Sequence, residues 1–96
     1  MDKKEFIYRM KYLNWRELLT IDYAGHTLTV RCLIDEGGKL YPPLKPLRYD
    51  VVIDGVVGPD AGSLHELDRI MRRNFSGVVA EMWRYAWRHI VREVVV

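Results

Sequence analysis

The run Gly58-Pro59-Asp60-Ala61-Gly62 divides this chain, because glycine and proline at that density exclude a helix interior. Directly after it, Ser63-Leu64-His65-Glu66 has the form of a capping box. In that motif the Ser63 hydroxyl accepts the Glu66 amide proton while the Glu66 carboxylate reaches back to the Ser63 amide. Downstream of this point apolar residues recur at helical steps; from Leu18 to the break they mostly alternate at strand period.

The helical part reads as two segments. Leu64, Leu67, Met71 and Phe75 mark one buried face, and Val79, Met82, Trp83, Ala86, Trp87, Ile90 and Val94 mark a second. Asn74-Phe75-Ser76-Gly77 between them carries poor helix formers, with Ser76 placed to cap a fresh start, so a break or kink is expected there. On the other side of the last helix Arg84, Arg88 and Arg92 repeat every four residues, and like charges so spaced repel by ~0.2–0.5 kcal/mol per pair. Such a row needs screening by water, an acidic neighbour such as Glu81, or an anionic partner. Arg69, Arg72 and Arg73 add to it, with Glu66 and Asp68 spaced to answer Arg69 and Arg72.

Ahead of the break, Asp2 and Glu5 form a second capping arrangement, and Phe6, Met10 and Leu13 follow at helical steps. The spacing predicts an amphipathic helix over Lys3 to Arg16. Tyr8, Tyr12 and Trp15 fall on a different side of it, an arrangement that calls for cover by a sheet or a partner. The period then changes. Leu19, Ile21 and Tyr23 alternate with polar residues, Ala24-Gly25 is a turn, and Leu28, Val30, Cys32 and Ile34 continue as the second arm of a hairpin. Asp35-Glu36-Gly37-Gly38 reads as a solvated turn.

Pro43-x-x-Pro46-x-Arg48 has the form of a polyproline ligand, although a rigid crossing between strands accounts for it more simply. Tyr49, Val51 and Ile53 give a third strand ending at Asp54-Gly55, with Val56-Val57 as a short return before the Gly58-Pro59 break. The fold class expected is α+β in a single domain spanning 1–96: an N-terminal helix, a three-stranded antiparallel meander, then two C-terminal helices, or one kinked helix, packed on one sheet face. The order helix, three strands, helix resembles that of double-stranded-RNA-binding domains. No lysine cluster opens the last helix and no histidine loop follows the first strand, so the likeness is one of element order alone.

Charge is informative through its distribution. The net is +2, mild for a dedicated nucleic-acid binder, but residues 1–20 and 61–96 each carry +2 and residues 21–60 carry −2. Arginine outnumbers lysine two to one and glutamine is absent, a thermophile-like bias. Cys32 is the single cysteine, on an apolar strand face, which fits a buried thiol in a reducing, cytoplasmic setting. No leader or membrane-length apolar run is seen. His26, His65 and His89 lie in separate elements without metal-ligand spacing, no phosphate loop is present, and Ser63 and Ser76 occupy cap positions. No catalytic residue, metal, cofactor or small-molecule substrate is inferred. The expectation is a non-catalytic interaction or assembly module, self-associating or bound to a protein partner through Tyr8, Tyr12, Trp15, Trp83, Tyr85 and Trp87. The alternative is a nucleic-acid binder contacting phosphates with Arg69, Arg72, Arg73, Arg84, Arg88 and Arg92.

Overall fold

The computed structural model describes residues 3–4, 13–35 and 46–95. Four strands, β1 (Leu13–Tyr23), β2 (His26–Asp35), β3 (Pro46–Ile53) and β4 (Val56–Ala61), form one antiparallel meander in the order β1-β2-β3-β4. Two helices follow, α1 (Leu64–Asn74) and α2 (Gly77–His89), and α2 runs on into a wide π-helical turn, Ile90–Val95. The β1–β2 and β3–β4 connections are two-residue turns in which both central residues have positive φ: Ala24 at 51° and Gly25 at 78°, Asp54 at 50° and Gly55 at 81°. That is the hairpin turn whose twist suits the flanking strands.

Period-two alternation gives the sheet an apolar face and a polar one. Leu28, Val30 and Cys32 from β2, Val51 from β3 and Ala61 from β4 point one way, all buried. Against them pack Leu64, Leu67 and Met71 of α1 and Met82, Trp83 and Ala86 of α2, with Ile90 beyond. A fully buried side chain of this size contributes about 1.5–3 kcal/mol, so these residues attach the helical layer to the sheet. The α1 N-terminus is capped as expected, Glu66 N–H donating to Ser63 Oγ at 3.1 Å. Ser76 holds the equivalent position before α2 without a side-chain cap bond, and the chain breaks through extended Phe75 and Ser76 into Gly77 at φ 66°.

The structure corrects the expected architecture in three places. There are four strands rather than three, and of the helix expected over Lys3 to Arg16 the described residues show helical backbone at Lys3 and Lys4 alone. Leu13 to Arg16 belong to β1, pairing with Asp35, Ile34, Leu33 and Cys32; Tyr8 and Tyr12 lie outside the described residues. The alternation was hidden by a register shift between Glu17 and Leu19, which puts Leu18 and Leu19 next to each other on a strand and mimics a change of period. Second, β4 continues through Gly58 and Pro59 instead of ending there. It is an edge strand, where proline's missing N–H is tolerated, and a register shift falls opposite, between Asp50 and Val52. A Cβ on Gly58 would sit 3.0 Å from the Val51 carbonyl oxygen, close enough that the backbone there would have to give by a few tenths of an ångström. Third, Asp35 is fully buried rather than part of a solvated turn. Pro46 opens β3; Pro43, and with it the rest of the proline-rich stretch before Pro46, lies outside the described residues. With four consecutive strands in place of three, the likeness to the RNA-binding element order disappears.

Candidate interaction surface

The outward side of the helical layer is where arginine accumulates, because α1 and α2 spend their apolar stripes on the sheet. Arg69, Arg72, Arg73, Arg84, Arg88 and Arg92 are all exposed. Arg72 is answered by Asp68, Nε donating to Oδ1 at 2.8 Å, and the same oxygen accepts the Trp83 indole N–H at 2.8 Å. One carboxylate thus ties α1 to α2 and satisfies the polar edge of a buried ring. Among the described residues the other five arginines make no ion pair.

The aromatic residues divide between core and surface. Trp83 is 1% exposed and stacks on half-buried Trp87 with centroids 6.0 Å apart, while His65 meets Trp87 edge-on at 5.5 Å. Trp83 is therefore enclosed and not available to a partner. Tyr85, one position after Arg84 and three before Arg88, is 49% exposed. It lies 6.4 Å from the ring of Tyr23, 41% exposed at the end of β1, and the Arg88 guanidinium sits 5.9 Å from its centroid. Glu81 accepts a hydrogen bond from the Tyr23 hydroxyl at 3.3 Å, and this carboxylate raises the phenol's pKa above its ordinary value, chiefly by charge repulsion of the phenolate. Arg84 forms a common wall between two shallow hollows. One, about 200 Å³, is lined with Glu81, Tyr85 and Arg88; the other, about 240 Å³, with Met71, Arg72, Phe75, Ala80 and Trp83.

The sheet's other face carries a different chemistry. Glu17, Arg31, Asp50 and Asp60 stand opposite one another across the four strands. Arg31 grips Asp50 with two parallel bonds, Nε to Oδ1 at 2.9 Å and Nη2 to Oδ2 at 2.5 Å, and Arg48 pairs with Asp60 at 2.7 Å. Hydrogen bonding to Asp50 raises the Arg31 pKa further above its already high value. Trp15, 37% exposed, lies over the Arg31 guanidinium at 4.9 Å, so it belongs to this face and not to the helical patch.

Where the two hairpin turns meet, His26 Nδ1 is 2.7 Å from Asp54 Oδ2, and Asp54 Oδ1 accepts the Thr27 amide at 2.8 Å. These bonds, the histidine's first, hold the Asp54 pKa below the usual carboxylate range. The pair orients an imidazole, but both side chains are 44% exposed, and no pocket encloses them among the described hollows. Asp54 is thus taken by His26 and Asp50 by Arg31, while His65 lies against Trp87. Cys32 is buried, and desolvation pushes its thiol pKa up, away from nucleophilic use. No group of three or more His, Cys, Asp or Glu side chains able to hold a metal occurs among the described residues. Nor is any described helix long and apolar enough to cross a membrane.

Of the expected contact residues, the fold brings Tyr85, Arg84 and Arg88 together, separates Trp15 from them, and encloses Trp83. It adds Tyr23 and Glu81, which sequence reading missed as site residues. Tyr23 ends a strand fifty-eight positions from Glu81, and no local pattern links them. No family model, curated protein or solved structure matches this chain.

Proposed function

We propose that this chain is a small non-catalytic protein–protein interaction or assembly module that associates with copies of itself in a reducing, cytoplasmic setting. The observation that supports the reading best is the Tyr23–Tyr85–Arg88 patch, two half-exposed phenol rings and a guanidinium brought together from β1 and α2. Tyrosine and arginine are the residues that dominate binding energy at protein interfaces, where they fill desolvated contacts. A buried, inert Cys32 fits the reducing setting.

Sedimentation equilibrium tests this directly. The wild-type protein should be larger than one chain at micromolar concentration, and Tyr85→Ala should weaken association about thirty-fold, the effect of losing a contact of ~2 kcal/mol. A wild-type protein that stays monomeric up to the highest soluble concentration sinks the reading.

The second reading is nucleic-acid binding by the helical layer, favoured by one specific observation: six exposed arginines, of which Arg72 alone has an ion pair among the described residues. Phosphate contacts confer affinity without sequence choice and release counterions, so binding would weaken steeply with salt. Replacing Arg84, Arg88 and Arg92 by Ala should flatten that slope by about three counterions' worth. Failure to bind duplex or single strands at low salt eliminates it.

A further inference from the structure

We infer that self-association is head-to-tail: the arginine side of the helical layer in one copy docks on the part of the sheet's second face that bears exposed Glu17 and Asp22 in the next. The inference rests on the self-association reading above and specifies its geometry. Its basis is a segregation of charge between two faces of one chain. The described strand regions, 13–35 and 46–61, hold three arginines and six carboxylates, whereas residues 62–95 hold six arginines and four carboxylates.

Among the described residues, ion pairing leaves arginines on the helices and two carboxylates on the sheet's second face without an opposite charge. On the sheet, Arg31 and Arg48 are taken up by Asp50 and Asp60, and His26 by Asp54. Among the described residues Glu17 and Asp22 have hydroxyl partners only, accepting from Thr20 at 2.6 Å and Thr27 at 2.8 Å. Both are exposed and stand on the face away from the helices, since Glu17 faces Arg31 and Asp22 faces Thr27 in the register. Between them and β4 runs a row of Thr20, Thr29, Val52 and Val57, with Val57 63% exposed, which gives the acidic rim an apolar and hydroxyl floor. On the helices, Arg84 and Arg88 flank exposed Tyr85. A tyrosine between two guanidinium groups complements two carboxylates on β1, none of the four having an ion pair among the described residues.

A two-fold dimer using either face would set like against like, which complementary interfaces avoid. Helix layer on sheet sets opposite charges together and uses each face once per copy. One face of every terminal copy then stays free, and the assembly grows as an open chain or closes as a ring.

Two variants on the full chain test this, with circular dichroism melts confirming that each is folded: Arg84→Ala/Arg88→Ala, broken on the helix side, and Glu17→Gln/Asp22→Asn, broken on the sheet side. Sedimentation velocity should show the wild type growing past a dimer with concentration and shrinking with added salt. Each variant alone should associate at least ten-fold more weakly. Mixed one to one, they should form a pair and stop, because only one intact helix side and one intact sheet side remain. If the wild type associates but either variant alone does so undiminished, head-to-tail geometry is overturned while self-association stands. A monomeric wild type overturns both. Wild-type association that strengthens with salt overturns the charge basis even if a variant does not fold.

Discussion

Arg31 and Asp50 form a cross-strand pair whose two members are unequally placed, and that inequality predicts unequal mutants. The Asp50 side chain is 2% exposed and the Arg31 side chain 25%. Replacing Arg31 by Met leaves a carboxylate in the interior without its cation, and breaking a buried pair from that side costs about 3–5 kcal/mol. Replacing Asp50 by Ala leaves a guanidinium that already reaches water, lies against Trp15 and faces Glu17 across the β1–β2 register. Its loss should resemble that of an ordinary charged hydrogen bond, roughly 1.5–3 kcal/mol. The double variant Arg31→Met/Asp50→Ala should be more stable than Arg31→Met alone, because the stranded charge is gone. Urea unfolding followed by tryptophan fluorescence measures all four proteins of the cycle. With a slope of about 1–3 kcal/mol per molar, Arg31→Met should lower the midpoint by at least roughly 1 M. If Asp50→Ala proves as costly as Arg31→Met, or the double variant is the least stable, desolvation of Asp50 is not the governing term and the reasoning fails.

Other outcomes follow from single positions. Gly58→Ala places a methyl 3.0 Å from the Val51 carbonyl oxygen, a backbone atom with little freedom to retreat, and should destabilise by about 1–3 kcal/mol in the same urea assay. Ala24 holds φ at 51°, which costs a residue with a Cβ about 1–2 kcal/mol; Ala24→Gly should raise the melting temperature despite glycine's looser unfolded state, and a lowered one would refute the strain. Asp54 has a folded pKa below its unfolded one, so its contribution is complete above the ordinary carboxylate range and fades as pH falls through the folded value. Melts of wild type and Asp54→Asn should therefore converge toward acid pH, and a gap that stays constant contradicts the assignment.

Much of the core was readable because its signals are local. The Ser63 cap, the apolar steps Leu64, Leu67 and Met71, and the alternation Leu28, Val30, Cys32 each need only a few neighbouring residues to be recognised. The failures came where a long-range constraint overrode a local one. Leu13 to Arg16 carry a plausible helical spacing, yet β2 supplies partners for all four. Gly58-Pro59 reads as a strand terminator, and does not act as one at a sheet edge. The surface patch was half legible: Arg84 and Arg88 repeat along one helix, but Tyr23 reaches Tyr85 only through the packing of β1 against α2.

Composition and spacing alone determined that the chain would pair strands in its middle and place arginine-bearing helices after Gly62, since periodicity and caps are properties of adjacent residues. Tertiary structure decided which rings are enclosed and which charges are answered. Trp83 and Tyr85 are two positions apart, and one is sealed by Asp68 from another helix while the other faces water. The same holds for arginine: among the described residues Arg31 has an ion pair and Arg84 has none, because a side chain's partner comes from whichever strand or helix lies across from it in space.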